Sequence, residues 1–506
     1  MPGVTGSEVV AEQAAPDPMG KNSTFAGDVL KLVGGTTFAQ GLSVLAAPIL
    51  TRLYAPDAFG TAALFASITA IIGVVACLRY ELAIMLPERD EDAANLLAVS
   101  FSFVLIVTGL SAMLVLLVRE PIVRLLNAPD LATYLWLVPL AVLANGGFLA
   151  LNYWNSRTKR FGRLSIARAS QSVVTTGVQL GLGAVGQAHA GGLIGARVLG
   201  STVVTAVLGR QIWRDDRRSF VENVRWPQML RWGKRHRKFP IFNTWSALLN
   251  TASWQLPTFL MAFFFSPTVV GYYALGSRML QLPMTLIGSA IAQVFFQRAS
   301  EAHNVDGNLA VVVAPLFRRL VAFGAFPMLL LTVIGQDVFS VMFGQRWSEA
   351  GVYVQILSPW MFFVFISSPL SALFSVLERQ EAVLLLNTVL FTTRLVALGV
   401  GGMLGNVRLA LLLFAVTGIP VYGSWCAWIL KVSGVSKSQV LHILLKYLGV
   451  SVMVISPIAA MKLFVPSGSL TVLVGAAVAC GVYGVFLIRD EPTLVRQFKR
   501  LMTVKL

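Results

Sequence analysis

The chain has 506 residues, of which 56% are hydrophobic and 12% charged, and its mean hydropathy is +0.73. This composition is far more apolar than that of a soluble globular domain, so it excludes soluble enzymes and predicts an integral membrane protein. The net charge of +17 raises the question of nucleic acid, but no recognisable nucleic-acid-binding module accompanies it, so we expect no such partner.

Apolar runs long enough to cross a bilayer recur from residue 28 to residue 488, separated by short polar breaks. A spanning helix needs about 20 mostly apolar residues, whereas a barrel strand would alternate over about 10. The sequence therefore predicts an all-α polytopic membrane protein with about fourteen transmembrane helices. The predicted spans are 28–51, 60–86, 94–118, 132–153, 165–187, 191–211, 240–265, 271–296, 320–343, 351–377, 382–404, 408–430, 443–464 and 469–488.

Two short motifs recur at a fixed distance along the chain. Pro56–Gly60 introduces the second span, and Pro267–Gly271, with the same Pro-to-Gly spacing, introduces the eighth span 211 positions later. Leu137-Val-Pro139 in the fourth span likewise recurs as Leu357-Ser-Pro359 in the tenth span, 220 positions later. The first twelve spans are therefore predicted to form two six-helix lobes, related by a pseudo-two-fold axis around a central cleft.

A basic block at residues 210–238, between the two predicted lobes, holds ten Lys and Arg against three acids. The fourteen-span arrangement puts most Lys and Arg on the side of the N-terminus, so the positive-inside rule predicts that both termini are cytoplasmic. The block itself is expected to anchor this topology on anionic headgroups, with a lipid or partner site as the alternative. The sequence therefore predicts six parts: a disordered cytoplasmic tail (1–27), an N-lobe (28–211), a basic cytoplasmic linker (212–239), a C-lobe (240–430), two accessory spans (431–488) and a cytoplasmic tail (489–506).

Ionisable residues within the spans are the first candidates for function, because each costs a few kcal/mol unless it faces a polar cavity or a partner. Arg79 and Glu81 lie in the second span. Helical geometry turns about 200° over two residues, so we expect these two side chains to face apart. The remaining candidates are Arg197 in the sixth span, Arg278 in the eighth, Arg394 in the eleventh and Arg52 at the outer end of the first.

The surplus of intramembrane arginine over acid predicts an anionic substrate, because guanidinium binds phosphate or carboxylate bidentately. We therefore expect the five arginines to line a cationic central cleft that binds the substrate headgroup. Four of them are also compatible with structural roles, namely snorkelling or an ion pair for Arg79, snorkelling for Arg278, helix packing for Arg197 and interfacial anchoring for Arg52. Aromatic residues could stack on sugar faces, although interfacial aromatic belts also account for them. The aromatic residues in question are Tyr80, Trp154, Trp245 and Trp254.

Four stretches between about residues 25 and 430 resemble the polysaccharide flippases (Wzx type) of the multidrug/oligosaccharidyl-lipid/polysaccharide exporter superfamily. They are GGTTFAQGLSVLAAPILTRLYAPDAFG, RYELAIMLPERDEDAANLL, GYYALGSRMLQLPMTLIGSAIAQVFF and FGQRWSEAGVYVQILSPW. The resemblance implies a flippase that moves a polyprenyl-pyrophosphate-linked oligosaccharide repeat unit across the bacterial inner membrane. The product would serve O-antigen, capsule or exopolysaccharide synthesis, with other polysaccharide assembly proteins as partners.

We expect a transporter rather than an enzyme, with no metal site and no cofactor. The chain has no GxxxxGK[ST] loop, so we expect no direct ATP hydrolysis. Energy is then expected from an ion gradient, the membrane potential or consumption of the product outside, and Glu81 is the candidate for coupling if an H⁺ or Na⁺ gradient is used. One alternative is a cation-coupled multidrug exporter of the same fold, which would favour acidic residues in the pocket. A second is a membrane-bound glycan polymerase or ligase, which would need a large outer loop that the sequence does not provide.

Overall fold

The computed structural model describes residues 25–285, 289–305, 308–464 and 468–490. Every regular element in these residues is a helix, which confirms the predicted all-α class. The predicted tails at 1–27 and 489–506 lie outside the described residues, apart from 25–27, which begin the first helix, and 489–490, which end the last.

In the described residues up to Asn223, the chain forms eight α-helices. They are α1 (Phe25–Leu53), α2 (Pro56–Val74), α3 (Tyr80–Ala83), α4 (Asp90–Leu125), α5 (Leu131–Tyr134), α6 (Val138–Arg157), α7 (Phe161–Ala184) and α8 (Ala190–Asn223). A short amphipathic helix, α9 (Trp226–Arg235), and a π-helical turn, Phe239–Asn243, connect them to the second half.

The second half contains ten further helices. They are α10 (Thr244–Phe264), α11 (Pro267–Leu280), α12 (Ser289–Val305), α13 (Ala310–Phe343), α14 (Ser348–Leu370), α15 (Leu373–Val376), α16 (Gln380–Met403), α17 (Val407–Val432), α18 (Lys437–Phe464) and α19 (Ser469–Asp490). A 3₁₀ turn, Gln345–Trp347, joins α13 to α14.

The helices pack as two lobes and an appendage. In the first lobe α7 packs on α1 and α8, and α6 packs on α4 and α8. In the second lobe α14 packs on α13 and α17, and α16 packs on α10 and α17. The lobes meet where α2 packs on α10 and α11, and the pair α18 and α19 packs on α13 at the side of the second lobe.

Within the described residues, ten helical segments are long and apolar enough to cross a membrane by length and composition. Four of the fourteen predicted spans are not among them, namely those that correspond to α1, α7, α10 and α11. Helix α11 has only 14 residues, and α7 and α10 are long enough but less apolar. Polar side chains of α7 and α10, such as Gln179 and Gln255, line the cavity between the lobes and lower the mean hydropathy of these helices. Helix α1 is 29 residues long, but the side chains of its residues 25–36 lie outside the described part of the structure, so it is not compared with the ten.

The second predicted span, 60–86, is not one continuous helix. Helix α2 ends at Val74, the chain turns through residues 75–79, and α3 begins at Tyr80. Leu78 (φ 46°) and Arg79 (φ 64°) both adopt the left-handed conformation, which interrupts a right-handed helix. Because helical rotation does not apply across this turn, the prediction that Arg79 and Glu81 face apart is wrong: Arg79 Nη1 lies 3.5 Å from Glu81 Oε1.

The two Pro-to-Gly motifs contact each other at the lobe interface. Helices α2 and α11 begin with these motifs and cross at Gly60 and Gly271. A Cβ atom on Gly60 would overlap the Pro267 carbonyl oxygen, and a Cβ on Gly271 would overlap the Pro56 carbonyl oxygen. Only glycine permits so close an approach of two backbones. We name this end of the molecule, where α1 ends and α2 begins, the outer face.

A second reciprocal contact joins the lobes at the outer face. Asn127, between α4 and α5, donates a hydrogen bond of 2.9 Å to the Phe263 carbonyl at the end of α10. Trp347, before α14, donates a hydrogen bond of 2.8 Å to the Thr51 carbonyl near the end of α1. Carbonyls in the last turn of a helix lack intrahelical partners, so each lobe caps a helix of the other.

These contacts follow the spacing of the sequence repeat. Asn127 and Trp347 are 220 positions apart, which is the offset of the Leu-x-Pro motif. Arg52, whose carbonyl also accepts a hydrogen bond from Arg346, is 211 positions before Phe263, which is the offset of the Pro-to-Gly motif. The two lobes therefore use equivalent positions to contact each other, as a pseudo-two-fold axis requires.

Candidate functional site

A cavity of about 600 Å³ lies between the lobes, directly behind the Gly60–Gly271 contact as seen from the outer face. Helices α1, α2, α7 and α8 of the first lobe line it, together with α10 and α11 of the second lobe. Its walls thus come from both lobes, so a movement of one lobe relative to the other would change its shape.

Two arginines on opposite lobes line this cavity. Arg197 lies on α8 and Arg278 on α11, and both side chains are accessible from the cavity. The Arg278 guanidinium donates a hydrogen bond to Ser43 Oγ on α1, whereas Arg197 has no hydrogen bond to another described residue. Both positive charges thus lie on the wall of the same cavity, where like charges repel. No Asp or Glu is found among the described residues that line the cavity.

Four glutamines also line the cavity: Gln40, Gln179, Gln255 and Gln281. The Ser67 hydroxyl donates a hydrogen bond of 2.9 Å to Gln255 Oε1, which links α2 to α10. An amide both donates and accepts hydrogen bonds, as sugar hydroxyls do. The search of the sequence for charged residues within the spans missed these amides, although a glutamine in an apolar helix is a comparable signal.

Arg394 lies behind the cavity wall rather than on it. Its side chain is 4% exposed and donates hydrogen bonds to the Ser253 carbonyl at 2.8 Å, to Ser253 Oγ at 2.9 Å and to the Tyr422 hydroxyl at 3.1 Å. The guanidinium carbon lies 4.8 Å from the centre of the Trp254 ring, and Trp254 lines the cavity. Arg394 therefore touches a lining residue but is not among the described lining residues itself.

Arg79 and Glu81 also lie outside the described lining of the cavity. Glu81 is fully buried, and neither of its carboxylate oxygens has a hydrogen-bond partner among the described residues. Between them in sequence, the Tyr80 hydroxyl donates a hydrogen bond of 3.0 Å to the Gly233 carbonyl of α9. The pair thus lies beside the basic linker, at the end opposite the outer face.

Arg52 and the linker helix complete the set of predicted features. Arg52 is exposed at the outer face and is not among the described lining residues.

Helix α9 is held on the first lobe by a hydrogen bond of 2.9 Å from Trp232 Nε1 to Asp92 Oδ1. Burial and the neighbouring Arg235 hold the pKa of His236 below its ordinary value, so its imidazole stacks on Trp232 as a neutral ring.

The fold and the polar cavity between its lobes define a multi-pass membrane protein with a transporter-like architecture. The chain belongs to the polysaccharide biosynthesis protein family, whose family model matches residues 49–352. This confirms the resemblance to polysaccharide exporters that the four sequence stretches indicated. No curated protein sequence matches the chain.

Solved structures with the same fold come from the MOP superfamily and from lipid II flippases. Lipid II flippase MurJ, in an inward closed conformation, has a TM-score of 0.71 at 12% identity, covering 92% of this chain and 100% of its own. An inward-facing multidrug resistance MATE family transporter has a TM-score of 0.63 at 16% identity, covering 81% and 98%. A MOP superfamily transporter from Pyrococcus furiosus, described as having a binding pocket of reverse polarity, has a TM-score of 0.52 at 14% identity, covering 82% and 97%.

Proposed function

We propose that this protein is a flippase that moves a polyprenyl-diphosphate-linked oligosaccharide repeat unit across the bacterial inner membrane for surface polysaccharide synthesis. The observation that carries the proposal is the pair Arg197 and Arg278, on opposite lobes of one cavity whose described lining residues include no acid. Two guanidinium groups without a counter-ion favour a ligand with two adjacent negative charges, and a diphosphate provides them.

The physical chemistry of such a substrate fits the rest of the cavity. A sugar-diphosphate head would leave many polar groups unpaired in hydrocarbon, whereas its polyprenyl tail is stable there. The cavity offers glutamine amides beside the two arginines, and these suit sugar hydroxyls. Because both lobes form its walls, rocking of one lobe against the other would expose the head first to one side and then to the other.

The two alternatives fit these residues less well. An exporter of cationic drugs would be expected to place a carboxylate in its pocket, and the described lining residues include none. An enzyme that joins glycans would produce a new glycosidic bond, so it is distinguished by the product. The proposal accordingly requires that the lipid-linked glycan leaves the protein chemically unchanged.

The test uses the full chain in proteoliposomes that contain a fluorescent lipid-linked oligosaccharide, with a membrane-impermeant quencher reporting the exposed leaflet. Replacing Arg197 or Arg278 by Gln removes a charge-assisted contact and is expected to slow translocation by roughly tenfold or more. Arg52→Gln is the matched control, because Arg52 lies outside the described lining of the cavity. Wild-type rates in the Arg197/Arg278 double variant, or formation of a new glycan, would contradict the proposal.

We further propose that an H⁺ or Na⁺ gradient drives the transport through Glu81 and that both termini are cytoplasmic. Burial of Glu81 without a hydrogen bond to its oxygens supports the first point, and the basic block at residues 210–238 supports the second. A reporter protein fused after Leu506 should be active only in the cytoplasm. A fusion that is active only outside would reverse the topology and leave the cavity proposal intact.

A further inference from the structure

Trp254 lines the same cavity as Arg197 and Arg278, but binding of an anion by these two arginines gives it no role. We infer that it forms a carbohydrate subsite, in which the indole ring stacks on the apolar face of a pyranose while Arg394 positions the ring from behind. The inference rests on the proposed function and extends it, because it assigns the glycan part of the substrate to named residues. It also gives Arg394 a role that does not require contact with the diphosphate.

The surroundings of Arg394 indicate that it positions Trp254. A buried cation is unfavourable unless its neighbours compensate for lost water, and the three hydrogen bonds of Arg394 all go to neutral oxygens. Two of these oxygens belong to Ser253, the residue before Trp254, and the guanidinium itself covers the Trp254 ring at 4.8 Å. The arginine thus fixes both the backbone and the ring at the cavity wall.

Trp254 differs in this respect from the other tryptophans that the sequence singled out. Trp154 is 2% exposed and donates a hydrogen bond to Asp216, and Trp245 is 68% exposed and does not line the cavity. Trp254 is half-buried and lines the cavity beside Gln255, so a flat apolar ring adjoins an amide that can bond to hydroxyls. A pyranose presents the same combination, an apolar face with polar edges.

Because Arg394 already holds the Trp254 ring in place before a sugar binds, the affinity for a stacked sugar is higher. An aromatic side chain with two torsion angles loses little conformational entropy on binding, and a ring that is already clamped loses less. Position 258, one turn along α10, carries Thr258 on the same wall, so this face of the helix continues the polar edge of the subsite. The wall therefore combines one stacking surface with several hydrogen-bonding groups.

The experiment compares binding of farnesyl diphosphate with binding of farnesyl diphosphates that carry glucose, N-acetylglucosamine or a 6-deoxyhexose. Dissociation constants are measured on the purified full chain. The wild type should bind at least one sugar-bearing probe more tightly than the sugar-free probe, by roughly five- to tenfold for one stacked contact. Trp254→Ala should abolish this gain and leave affinity for farnesyl diphosphate unchanged, whereas Trp254→Phe should keep part of the gain.

Trp245→Ala is the matched control, because it removes an indole from the same helix outside the cavity lining. Arg394→Gln tests positioning: the sugar gain should fall as in Trp254→Ala, while farnesyl diphosphate still binds at wild-type affinity. A thermal unfolding midpoint for each variant, compared with the wild type, identifies any variant that is merely misfolded. Arg394→Lys, which keeps the cation, should restore part of the sugar gain.

The two proposals fail in different ways. If the wild type binds no farnesyl diphosphate, or binds it equally well without Arg197 and Arg278, the anion site between the lobes is wrong. If the wild type binds farnesyl diphosphate but binds no sugar-bearing probe more tightly, the carbohydrate subsite is wrong. The subsite is equally overturned if Trp254→Ala preserves the gain, or if Arg394→Gln weakens binding of both kinds of probe alike.

Discussion

Glu81, the residue to which we assign the proposed ion coupling, is a buried acid. Both of its carboxylate oxygens are buried and have no hydrogen-bond partner among the described residues, and Arg79 Nη1 lies 3.5 Å away. One ion pair at this distance compensates only partly for the loss of water around a buried carboxylate. A bound H⁺ or Na⁺ would neutralise Glu81 and leave Arg79 free to move, so the occupancy of this site would change the local charge.

We predict that Glu81→Gln removes the response of transport to the gradient, because glutamine has the shape of a protonated glutamate, cannot take up a proton and lacks the negative charge that attracts Na⁺. Translocation of lipid-linked oligosaccharide should continue at a basal rate that no longer depends on an imposed pH or Na⁺ gradient. The rate is measured in proteoliposomes with each gradient imposed separately. Glu88→Gln, at an exposed position in the loop after α3, should leave the response unchanged. Equal stimulation of Glu81→Gln and wild type would rule out coupling at this residue.

The candidate site was only partly predictable at the level of single residues. Arg197 and Arg278 were identified as candidates because a charge within an apolar run is visible in the sequence. Arg394 was visible for the same reason, but its position behind Trp254 depends on how α10, α16 and α17 pack. The contact of Arg79 with Glu81 depends on a left-handed turn that contains Leu78 and no glycine. Intrinsic residue propensities do not predict a left-handed turn at positions that carry no glycine.

At the crossing of α2 and α11 the backbones of the two lobes approach each other so closely that a side chain on Gly60 or Gly271 would overlap the other helix. The sequence repeat predicted that Pro56–Gly60 and Pro267–Gly271 occupy equivalent positions, but it did not predict that the motifs touch each other. Equivalent elements meet only where they lie on the symmetry axis, and the location of that axis is a property of the assembled lobes. The cavity begins directly behind this crossing, so the contact closes the cavity toward the outer face.

We predict that Gly271→Ala opens the cavity toward the outer face, because a methyl group at this position would overlap the Pro56 carbonyl oxygen and separate α2 from α11. The measurement is labelling of Ala63→Cys, a lining position, by an impermeant maleimide added at the outer face. Labelling should be faster by at least about fivefold, since an overlap of this kind disfavours the closed form by about 1–3 kcal/mol or more.

The control for this experiment is Gly73→Ala, on the same helix α2, where an added Cβ would meet no atom within 4 Å. It should leave the labelling rate unchanged, because alanine is well tolerated in an open helical position. All variants carry Cys480→Ser, which removes the one exposed cysteine among the described residues. Slow labelling of Gly271→Ala, equal to that of its parent, would show that the glycine crossing does not hold the outer face closed.

Hydropathy and the sequence repeat predict the order of the helices and the two lobes, but they do not predict how the lobes contact each other. Long apolar runs predict the order of the helices, and two repeated motifs predict two lobes, with which the packing of the helices agrees. The helices α7 and α10 fall short in apolar character because polar side chains on them face the cavity, and α11 falls short in length. Hydropathy averages over a helix and cannot separate a face turned to lipid from one turned to a cavity.

The reciprocal caps at the outer face lead to a prediction about the molecule as a whole. Asn127 of the first lobe bonds to the end of α10 in the second lobe, so the two lobes must separate here if the cavity is to open outward. Joining Asn127→Cys to Phe263→Cys with a reducible thiol crosslinker should reduce translocation of lipid-linked oligosaccharide to the level of protein-free liposomes. Cleaving the crosslinker with a reductant should restore the rate.

A crosslink of the same kind within one lobe separates this mechanism from general damage by the reagent. Glu349 and Arg408 form an ion pair of 2.7 Å at the same outer face, but both belong to the second lobe. Crosslinking Glu349→Cys to Arg408→Cys, again with Cys480→Ser, should therefore leave most of the transport intact. If the Asn127–Phe263 crosslink also left transport intact, the substrate would have to cross without separation of the lobes at this face, and alternating access by lobe movement would be wrong.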